Sequence, residues 1–288
     1  MRFRFVDEHQ DEFEVGLMCS TLEVSRSGYY AWCERPESRR SLESERLGGL
    51  VEQIHEESRQ NYGVPRVHAE LRSRGERCGR SRVARLMREL GLSGRTRRRY
   101  RTTTKADPQN PVAPNLLERD FSAESRDQVW VGDITYIWTL EGWLYLAVLV
   151  DLYSRMVVGW AMSERMPVDL TLAALEMAIG RRAPGIGLIH HSDRGSQYTA
   201  DDYQARLREL GAETSMSRKG DCYDNAVAES FFHSFKTEMM DEFPFRTRSE
   251  GRSKVFDYIE VFFNRQRLHS TLGYVSPAKF EAMAGVAE

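Results

Sequence analysis

VWVGDITYIW, residues 129–138, predicts a strand, because it is dense in the β-branched and aromatic residues that favour strands. Two segments of the same kind follow after short turns, GWLYLAVLVD at 142–151 and RMVVGWAM at 155–162. Short turns join strands that run antiparallel, so the three segments predict a meander. An acid, Asp133, stands in the middle of the first segment.

The residues after the meander alternate between helical and strand patterns. The sequence predicts a helix over 168–181, a strand in GIGLIHHSD at 185–193, a helix over 200–210, a short strand in AETSMS at 212–217 and a long helix over 224–240. The order βββαβαβα describes a mixed α/β sheet of five strands and matches the ribonuclease H fold. In that fold the fourth strand lies beside the first.

The chain before residue 96 is predicted to be all helical. Val15, Met18 and Leu22 fall on one helix face and Ser25 can cap a second helix, which indicates a helix-turn-helix-like segment over residues 1–40. Three more amphipathic helices follow and fit a helix-turn-helix DNA-binding domain over 41–95. Their apolar residues are Leu47, Leu50, Val51 and Ile54, then Val64, Val67 and Leu71, then Val83, Leu86, Met87 and Leu90.

Basic charge is concentrated in one part of the chain. Residues 58–105 hold 15 basic and 3 acidic side chains, a net charge of +12, whereas residues 1–57 carry −6 and residues 106–288 carry −8. Such a block binds polyanions, of which nucleic acid is the commonest; the alternative is a solvated helix face. The predicted DNA contacts are Arg82, Arg85 and Arg88 on the third helix and Arg97, Arg98 and Arg99 beyond it.

The arginines at 97–99 lie in a basic and proline-rich linker, predicted over residues 96–120. Its first half is rich in arginine, and its second half carries Pro108, Pro111 and Pro114, which stiffen and extend a chain. The linker separates the helical region from a catalytic core with a helical C-terminal extension, predicted over 121–288.

Composition excludes several classes of protein. No run of about 18 apolar residues is present, and acids interrupt the first fifteen residues, where a secretory signal needs an apolar segment. The four cysteines form no C-x-x-C pair and no cluster with histidines at zinc spacing. The expectation is a soluble cytoplasmic protein with reduced thiols and no membrane association.

Three acids form the candidate catalytic site. Asp133 lies in the predicted first strand, Asp193 follows the fourth strand, and Glu229 lies in the last helix, 35 residues beyond Asp193. An isolated acid is nearly always surface charge, but adjacent first and fourth strands would bring the two aspartates together. Carboxylates are the ligands that Mg²⁺ prefers, and two such ions support in-line phosphoryl displacement.

Several motifs resemble the D, D(35)E signatures of retroviral integrases and, most closely, of the B-frame (OrfB) transposases of the IS3 family of bacterial insertion sequences. They are WVGDITYI, HHSDRGSQY and DNAVAESFFHSFKTE, with VSRSGYYAW, SRQNYGVPRVHAELRSRG, RVARLMRELGL, VLVDLYSRMVVGW and FNRQRLHSTLGYVSPAKFE extending the match almost end to end. The resemblance implies a ribonuclease H-like integrase core. It also implies cleavage at the ends of a mobile element and joining of the 3′-hydroxyl to another phosphodiester.

The resemblance implies cofactors, partners and further residues. It implies two Mg²⁺ ions, with Mn²⁺ as a substitute, held by Asp133, Asp193 and Glu229. Lys236, two helical turns beyond Glu229, matches a basic residue that contacts DNA near the metals; the alternative is a solvated lysine. Asn225 either orients the substrate or caps the helix. The expected partners are duplex DNA at terminal inverted repeats and target, further copies of this chain on the DNA, and the product of an upstream frame (OrfA), either as a separate chain or joined to this one as a frameshift fusion.

Other residues near these motifs have less specific interpretations. Only one of His190 and His191 is expected to point toward the site, and the other packs or lies at the surface. Gln197 and Tyr198 either touch DNA or serve structure, and residues 217–225 are expected to form a mobile loop. Asp151 and Arg155 are expected to form a turn with its own ion pair. Strand packing is the expectation for Trp130, Trp138, Trp143 and Trp160.

Two alternative functions share the predicted fold. A DNA-binding regulator would use the core only as a scaffold, and loss of any of the three acids would favour it. A ribonuclease H or junction-resolving nuclease would lack the helical arm. All three acids and the arm are present in this sequence.

Overall fold

A five-stranded mixed sheet forms the centre of the molecule. The computed structural model describes residues 1–36, 38–95, 113–218, 222–239 and 243–285. The strands are β1 (Val129–Thr139), β2 (Gly142–Asp151), β3 (Val157–Ser163), β4 (Ile189–Ser192) and β5 (Glu213–Met216), in the spatial order β3-β2-β1-β4-β5. The first three strands are antiparallel, and β4 runs parallel to both β1 and β5. This topology confirms the predicted meander and the predicted neighbourhood of the first and fourth strands.

Helices cover both faces of the sheet. The core helices are α7 (Val168–Arg182), α8 (Asp201–Glu209) and α9 (Ala226–Glu238). Leu175 and Leu207 pack with Trp130 on one face, whereas Ala228 packs with Val131 on the other. Helix α7 approaches β3 so closely that a Cβ on Gly159 would lie 2.2 Å from the Ala174 carbonyl oxygen, which explains the glycine in that strand.

The N-terminal part is helical, as predicted. It comprises α1 (Arg2–Glu8), α2 (Val15–Thr21), α3 (Arg26–Cys33), α4 (Arg39–Glu57), α5 (Val64–Ser73) and α6 (Arg80–Glu89). Ser25 accepts a hydrogen bond from Gly28 N at 3.0 Å and so caps α3, which confirms the expected start of that helix. Helix α1 was not predicted. Its Val6 packs with Met18 and Tyr29 in a small separate core.

A C-terminal segment packs along the edge of the sheet that is formed by β3. Helix α10 (Arg248–Phe256) continues as a π-helical stretch, Asp257–Phe263, and α11 (Pro277–Ala284) ends the described chain. The Asn264 side chain pairs with β3 as a strand would: it accepts from Val157 N at 2.9 Å and donates to the Val157 oxygen at 3.0 Å. This contact satisfies part of the β3 edge.

The helical arm, defined here as α4, α5 and α6, is docked on that C-terminal segment. The Tyr62 hydroxyl accepts from Leu268 N at 2.7 Å, and Arg66 Nε donates to the Leu268 oxygen at 3.0 Å. Arg59 forms an ion pair with Asp257 at 2.6 Å and lies over the Phe262 ring, 4.8 Å from its centroid. The predicted domain boundaries stay predictions, but arm and core share these contacts.

The segment ahead of β1 contacts the other edge of the sheet. Met216 N donates to the Pro114 oxygen at 3.2 Å, and Leu116 N donates to Ser215 Oγ at 2.9 Å. Residues 113–120 of the predicted linker therefore cover β5, and residues 96–112 lie outside the described chain. Among the helices that the structure describes, none is long and apolar enough to cross a bilayer.

Candidate active site

Two of the three candidate acids are brought together by strand pairing. The parallel register of β1 and β4 pairs Val131 with His191, and Asp133 and Asp193 each lie two residues beyond that pair. Asp133 Oδ1 accepts from Ile134 N at 2.7 Å, and Asp193 Oδ1 accepts from Gly195 N at 2.9 Å. The two partly buried carboxylates therefore converge where β4 ends.

The third acid reaches the same place from helix α9. Val227 and Ala228 pack with Val129 and Val131, so α9 covers the sheet face that also carries Asp133 by strand alternation. Glu229 lies in the first turn of this helix and is partly buried. The helix thus brings Glu229 to the end of β1 that bears Asp133.

The electrostatics confirm that these acids are neighbours. The pKa of Asp133 is held well above its usual range. Burial is the main cause, and the Asp193 carboxylate and, more weakly, Glu229 add to it, whereas the hydrogen bond from Ile134 N opposes the shift. Burial also raises the pKa values of Asp193 and Glu229, and for Asp193 the hydrogen bond from Gly195 N opposes the shift. A cation bound beside these crowded carboxylates would stabilise their ionised forms.

Lys236 belongs to the same cluster. Burial lowers the pKa of Lys236, and the carboxylate of Asp133 opposes that shift. Its Nζ lies 4.9 Å from the centroid of the Tyr136 ring on β1. Lys236 is therefore held beside the acids, unlike a fully solvated helix lysine, and its contact with DNA stays a prediction.

The donor set suits hard divalent cations. Asp133 and Asp193 each use one oxygen to accept a backbone hydrogen bond, and carboxylate oxygens are the ligands that Mg²⁺ prefers. Within the described ranges, no group of three or more His, Cys, Asp or Glu side chains is close enough to hold an ion. In the described residues the three acids are therefore neighbours that do not form a closed set of ligands.

Asn225 positions α9 against β1. It occupies the residue before the helix, but its side chain makes no capping hydrogen bond; instead Nδ2 donates to the Gly132 oxygen at 3.4 Å. Its Oδ1 is buried without a hydrogen-bond partner among the described residues. The capping alternative is therefore wrong for the side chain, and a DNA contact by Asn225, which is 4% exposed, stays a prediction.

Asp224 is a positioning residue that sequence reasoning missed. Its buried carboxylate accepts from Arg218 N and Arg218 Nε at 2.9 and 3.0 Å and pairs with Arg119 at 3.3 Å. The hydrogen bonds from Arg218 above all, and then the pair with Arg119, lower the pKa of Asp224. They anchor the 3-10 turn Cys222–Asn225 that leads into α9. Residues 219–221 of the predicted mobile loop lie outside the described chain.

Gly195 and Tyr198 shape the wall behind Asp193. A Cβ on Gly195 would lie 2.9 Å from Asp193 Oδ1, so the residue must be small for the carboxylate to keep its position. Tyr198 is buried beside His190 and Tyr203, which favours its structural interpretation, while Gln197 Nε2 donates to the Met166 oxygen at 3.1 Å. The pattern GSQY marked a turn but could not show this packing.

Both histidines before Asp193 are buried, and the packing alternative is the one that His190 follows. His190 Nε2 lies 2.9 Å from the Tyr203 hydroxyl, and burial lowers its pKa to about 3. His191 contacts the hydroxyls of Ser215 and Ser217 at 2.8 and 3.1 Å. Strand alternation places His191 on the α9 face, but both of its ring nitrogens are used in contacts with Ser215 of β5 and with Ser217.

The predicted DNA-contacting arginines differ in exposure. Arg82 and Arg85 are partly buried on α6 and reach Ser44 Oγ of α4 at 3.1 and 3.5 Å. Arg85 also pairs with Glu89, whereas Arg88 is exposed. Arg82 and Arg85 thus use part of their hydrogen bonding within the arm, and DNA contact by these arginines stays a prediction. Arg97, Arg98 and Arg99 lie outside the described residues.

Two further expectations are corrected. The turn at 151–155 forms, but the Asp151 carboxylate accepts from Asp127 N and from Ser154, and Arg155 donates to the Phe121 oxygen; no Asp151–Arg155 ion pair exists in this described turn. Trp130 and Trp160 pack in the interior as expected. Trp138 and Trp143 do not, being 47% and 42% exposed.

Comparison with known protein families covers most of the chain. Residues 43–100 match the HTH-like domain family, and residues 123–222 and 229–284 match two families that are each described as an integrase core domain. The three acids lie within the two integrase matches.

Full-length relatives are similar over nearly the whole chain. A 31 kDa protein of insertion element IS600 of Shigella sonnei is 48% identical over 91% of this chain and 97% of its own length. The transposase InsF for insertion sequence IS3A of Escherichia coli strain K12 is 45% identical over 98% of both chains.

Solved structures give more distant similarities. A chain of the simian T-cell lymphotropic virus intasome, solved with the PP2A regulatory subunit B56 gamma, is 16% identical with a TM-score of 0.47, over 74% of this chain and 73% of that one. The HTLV-2 integrase catalytic core domain in complex with magnesium is 15% identical with a TM-score of 0.44, over 56% and 99%.

Proposed function

The chain belongs to the InsF transposases of IS3-type insertion sequences, DDE-type enzymes of DNA transposition and integration, and on that premise we propose that Asp133, Asp193 and Glu229 are its catalytic, metal-binding acids. The observation that supports this assignment is the electrostatic coupling of Asp133 to both other acids at the junction of β1, β4 and α9. The same coupling argues against the regulator alternative, because a scaffold gains nothing from three crowded carboxylates.

The residues of the site have separate tasks in this proposal. The three carboxylates bind Mg²⁺, with Mn²⁺ as a substitute, and two bound ions would activate the attacking oxygen and stabilise the leaving oxygen of the phosphodiester. Lys236, held between Asp133 and the Tyr136 ring, donates to a DNA phosphate near the acids. Asn225 and Asp224 hold α9 so that Glu229 and Lys236 face the same phosphate.

We further propose how the remaining parts meet DNA. The helical arm binds the terminal repeats of the element through α6, and the arginines at 97–99 contact the DNA backbone between arm and core. Joining two DNA ends to one target requires more than one active site, so we propose that copies of this chain assemble on the DNA. The product of an upstream frame is the proposed further partner.

Strand transfer by three conservative variants tests the assignment. Asp133→Asn, Asp193→Asn and Glu229→Gln should each abolish joining of a terminal-repeat duplex to target DNA in Mg²⁺, because each removes a metal ligand. All three should bind the repeat with unchanged affinity, since the basic arm is intact. Asp202→Asn, at an exposed acid of α8, is the matched control and should retain activity. Normal strand transfer in any one variant would remove that acid from the site.

Activity is measured with the full chain, alone and with the upstream-frame product added. Joining that requires the added product would support the proposed partnership. Joining by the chain alone at an undiminished rate would show that the partner is dispensable.

A further inference from the structure

Three aromatic side chains are exposed together at the end of the β1–β2 hairpin. Tyr136, Trp138 and Trp143 are 46%, 47% and 42% exposed, although Trp138 and Trp143 are directly paired in the sheet. The Trp143 ring contacts both others edge to face, at centroid distances of 5.1 and 4.7 Å. We call these three residues the aromatic platform.

The platform is exposed because the covering helix stops short of it. Leu170 and Ala174 of α7 pack on Ile134 and Ala147 of the same sheet face. Helix α7 begins at Val168, and the apolar cluster that it forms on this face reaches Tyr145 but does not include the three exposed rings. Solvent-exposed clusters of large apolar side chains mark binding surfaces, since leaving them in water is unfavourable.

The platform lies on the sheet face opposite to Asp133, and Tyr136 is the member that reaches the acidic site. Tyr136 lies three residues beyond Asp133 on β1, and its ring contacts Lys236 Nζ, which is coupled to Asp133. Strand β4 pairs with β1 only at Val129 to Val131, so within the described sheet no strand partner covers that edge of β1 between Asp133 and Trp138. A flexible polyanion can therefore pass from the acids around this open edge to the aromatic rings.

We propose that the aromatic platform stacks unpaired nucleobases of the DNA whose backbone is held at the acidic site. This inference rests on the proposed function and adds a substrate feature to it: the DNA is opened or frayed beside the reacting phosphate. Aromatic rings with a neighbouring cation suit a base and its phosphate, because stacking tolerates any base and Lys236 neutralises charge.

Binding to paired and frayed DNA ends tests the platform. The probe is a duplex ending in three unpaired nucleotides, compared with the same duplex fully paired, and the protein is the full chain. Wild type should prefer the frayed end. The double variant Trp138→Ala/Trp143→Ala should reduce the affinity for the frayed end by about 5- to 100-fold, the equivalent of stacking one base, and change that for the paired end little. Trp138→Phe/Trp143→Phe should restore the preference, which separates stacking from a folding defect.

A matched control and a spectroscopic readout sharpen the test. Leu140→Ala, at a residue of the same hairpin that is 67% exposed and not aromatic, should leave the preference unchanged. Fluorescence of 2-aminopurine at the unpaired position should be quenched by wild type and by Asp133→Asn, but not by the double alanine variant.

Three outcomes would overturn the inference. One is equal affinity of wild type for frayed and paired ends, and another is quenching that survives in the double alanine variant. A third is a fall in the molecular mass of the free protein in that variant with DNA preference intact, which would assign the platform to contacts between copies of this chain. In each case strand transfer by wild type would leave the proposed function standing, whereas its absence on every duplex would count against that function.

Discussion

Asp133, proposed here as a catalytic residue, works against the stability of its own fold. Its carboxylate is crowded by Asp193 and Glu229, and its raised pKa means that ionisation above the pKa of the unfolded chain costs folding free energy. Repulsion among these carboxylates therefore lowers the stability of the fold, and a cation bound by them would offset it. Replacement of one acid by a neutral isostere should relieve it as well.

We predict opposite effects of Asp133→Asn on stability and on activity. Asparagine can still accept the hydrogen bond from Ile134 N but carries no charge, so the melting temperature in EDTA at pH 7 should rise above that of wild type. Millimolar Mg²⁺ should raise the melting temperature of wild type and of Asp202→Asn but not of Asp133→Asn. An equal Mg²⁺-induced rise in all three proteins would mean that the ion binds elsewhere.

His190 is predicted to make the core sensitive to acid. Burial, followed by its neighbour His191, lowers the pKa of His190 to about 3, whereas an unfolded histidine titrates near 6.5. Between these values the unfolded chain binds the extra proton, so stability is full above about pH 6.5 and falls as the pH decreases toward 3. The slope contributed by this residue approaches about 1.4 kcal/mol per pH unit.

Urea unfolding of wild type and His190→Gln at pH 7, 6 and 5 isolates that contribution. The variant should be less stable at pH 7, because the hydrogen bond between His190 and Tyr203 is removed, but its free energy of unfolding should fall less steeply with acid. His191 is present in both proteins and cancels in the comparison. Parallel pH profiles would show that His190 is not the titrating group.

Among the helices and strands, the features that depend on neighbouring residues in sequence were predicted correctly. The strand composition of residues 129–162 and the Ser25 cap each depend on neighbours in sequence, and both agree with the structure. The proximity of Asp133 and Asp193 was also predictable, because the order of elements implied the β1–β4 pairing.

Features that depend on distant packing were not predictable. Sequence could not show how far α7 extends along its sheet face, and so it could not show that Trp138 and Trp143 remain exposed at the hairpin end. The Tyr62–Gln266 contact joins residues 204 positions apart, and no local period reports it. Arg82 and Arg85 follow a helical repeat, but their reach toward Ser44 depends on how α6 crosses α4.

Helix α9 is anchored at its far end by a buried ion pair. Glu238 accepts from Arg267 Nε and Nη2 at 2.9 and 2.7 Å, and both side chains are 6% exposed. Tyr258 donates to the same carboxylate at 2.8 Å, and Arg66 of the arm lies 3.7 Å away. The anchor thus fixes the helix that carries Glu229 and Lys236.

We predict that Arg267→Met destabilises the protein by about 3–5 kcal/mol, because it leaves the Glu238 charge buried without its main partner. Arg265→Met, at an exposed arginine two residues away, should cost little and serves as the control. Adding Glu238→Gln to Arg267→Met should recover part of that stability. Urea denaturation measures all three. A cost for Arg267→Met no larger than that for Arg265→Met would show that the anchor contributes little.

At the scale of the whole molecule, the arm and the core form one connected structure with divided charge. The arm contacts the C-terminal segment through Tyr62, Arg66 and Arg59, and its apolar residues join the cluster that includes Phe262 and Phe263. The excess positive charge nevertheless belongs to residues 58–105, while residues 106–288 carry −8. DNA held by the arm would therefore be presented to an acidic core that requires cations to accept it.

The two basic segments, α6 and residues 97–99, are expected to contribute differently to DNA recognition. Of the three helix arginines, Arg88 is exposed, whereas Arg82 and Arg85 each use Nη2 to contact Ser44 and keep other donors for DNA. Few arginines can reach base edges at once, so most of the 15 basic side chains of residues 58–105 must contact phosphates. Sequence preference should then depend on α6, and overall affinity on the segment that contains Arg97, Arg98 and Arg99.

Neutralising Arg97, Arg98 and Arg99 together should weaken binding to all sequences alike and reduce the salt slope by roughly 0.9 log unit for each phosphate that is no longer neutralised. Arg88→Ala should instead reduce the preference for the element's ends, by about 1 to 3 kcal/mol if it makes a bidentate base contact. Arg82→Ala and Arg85→Ala should reduce that preference less, because part of their hydrogen bonding is already used within the arm. Salt titration of each variant on terminal-repeat and random duplexes measures both quantities. Loss of discrimination in the triple variant, with discrimination intact in the α6 variants, would reverse the assignment of the two segments.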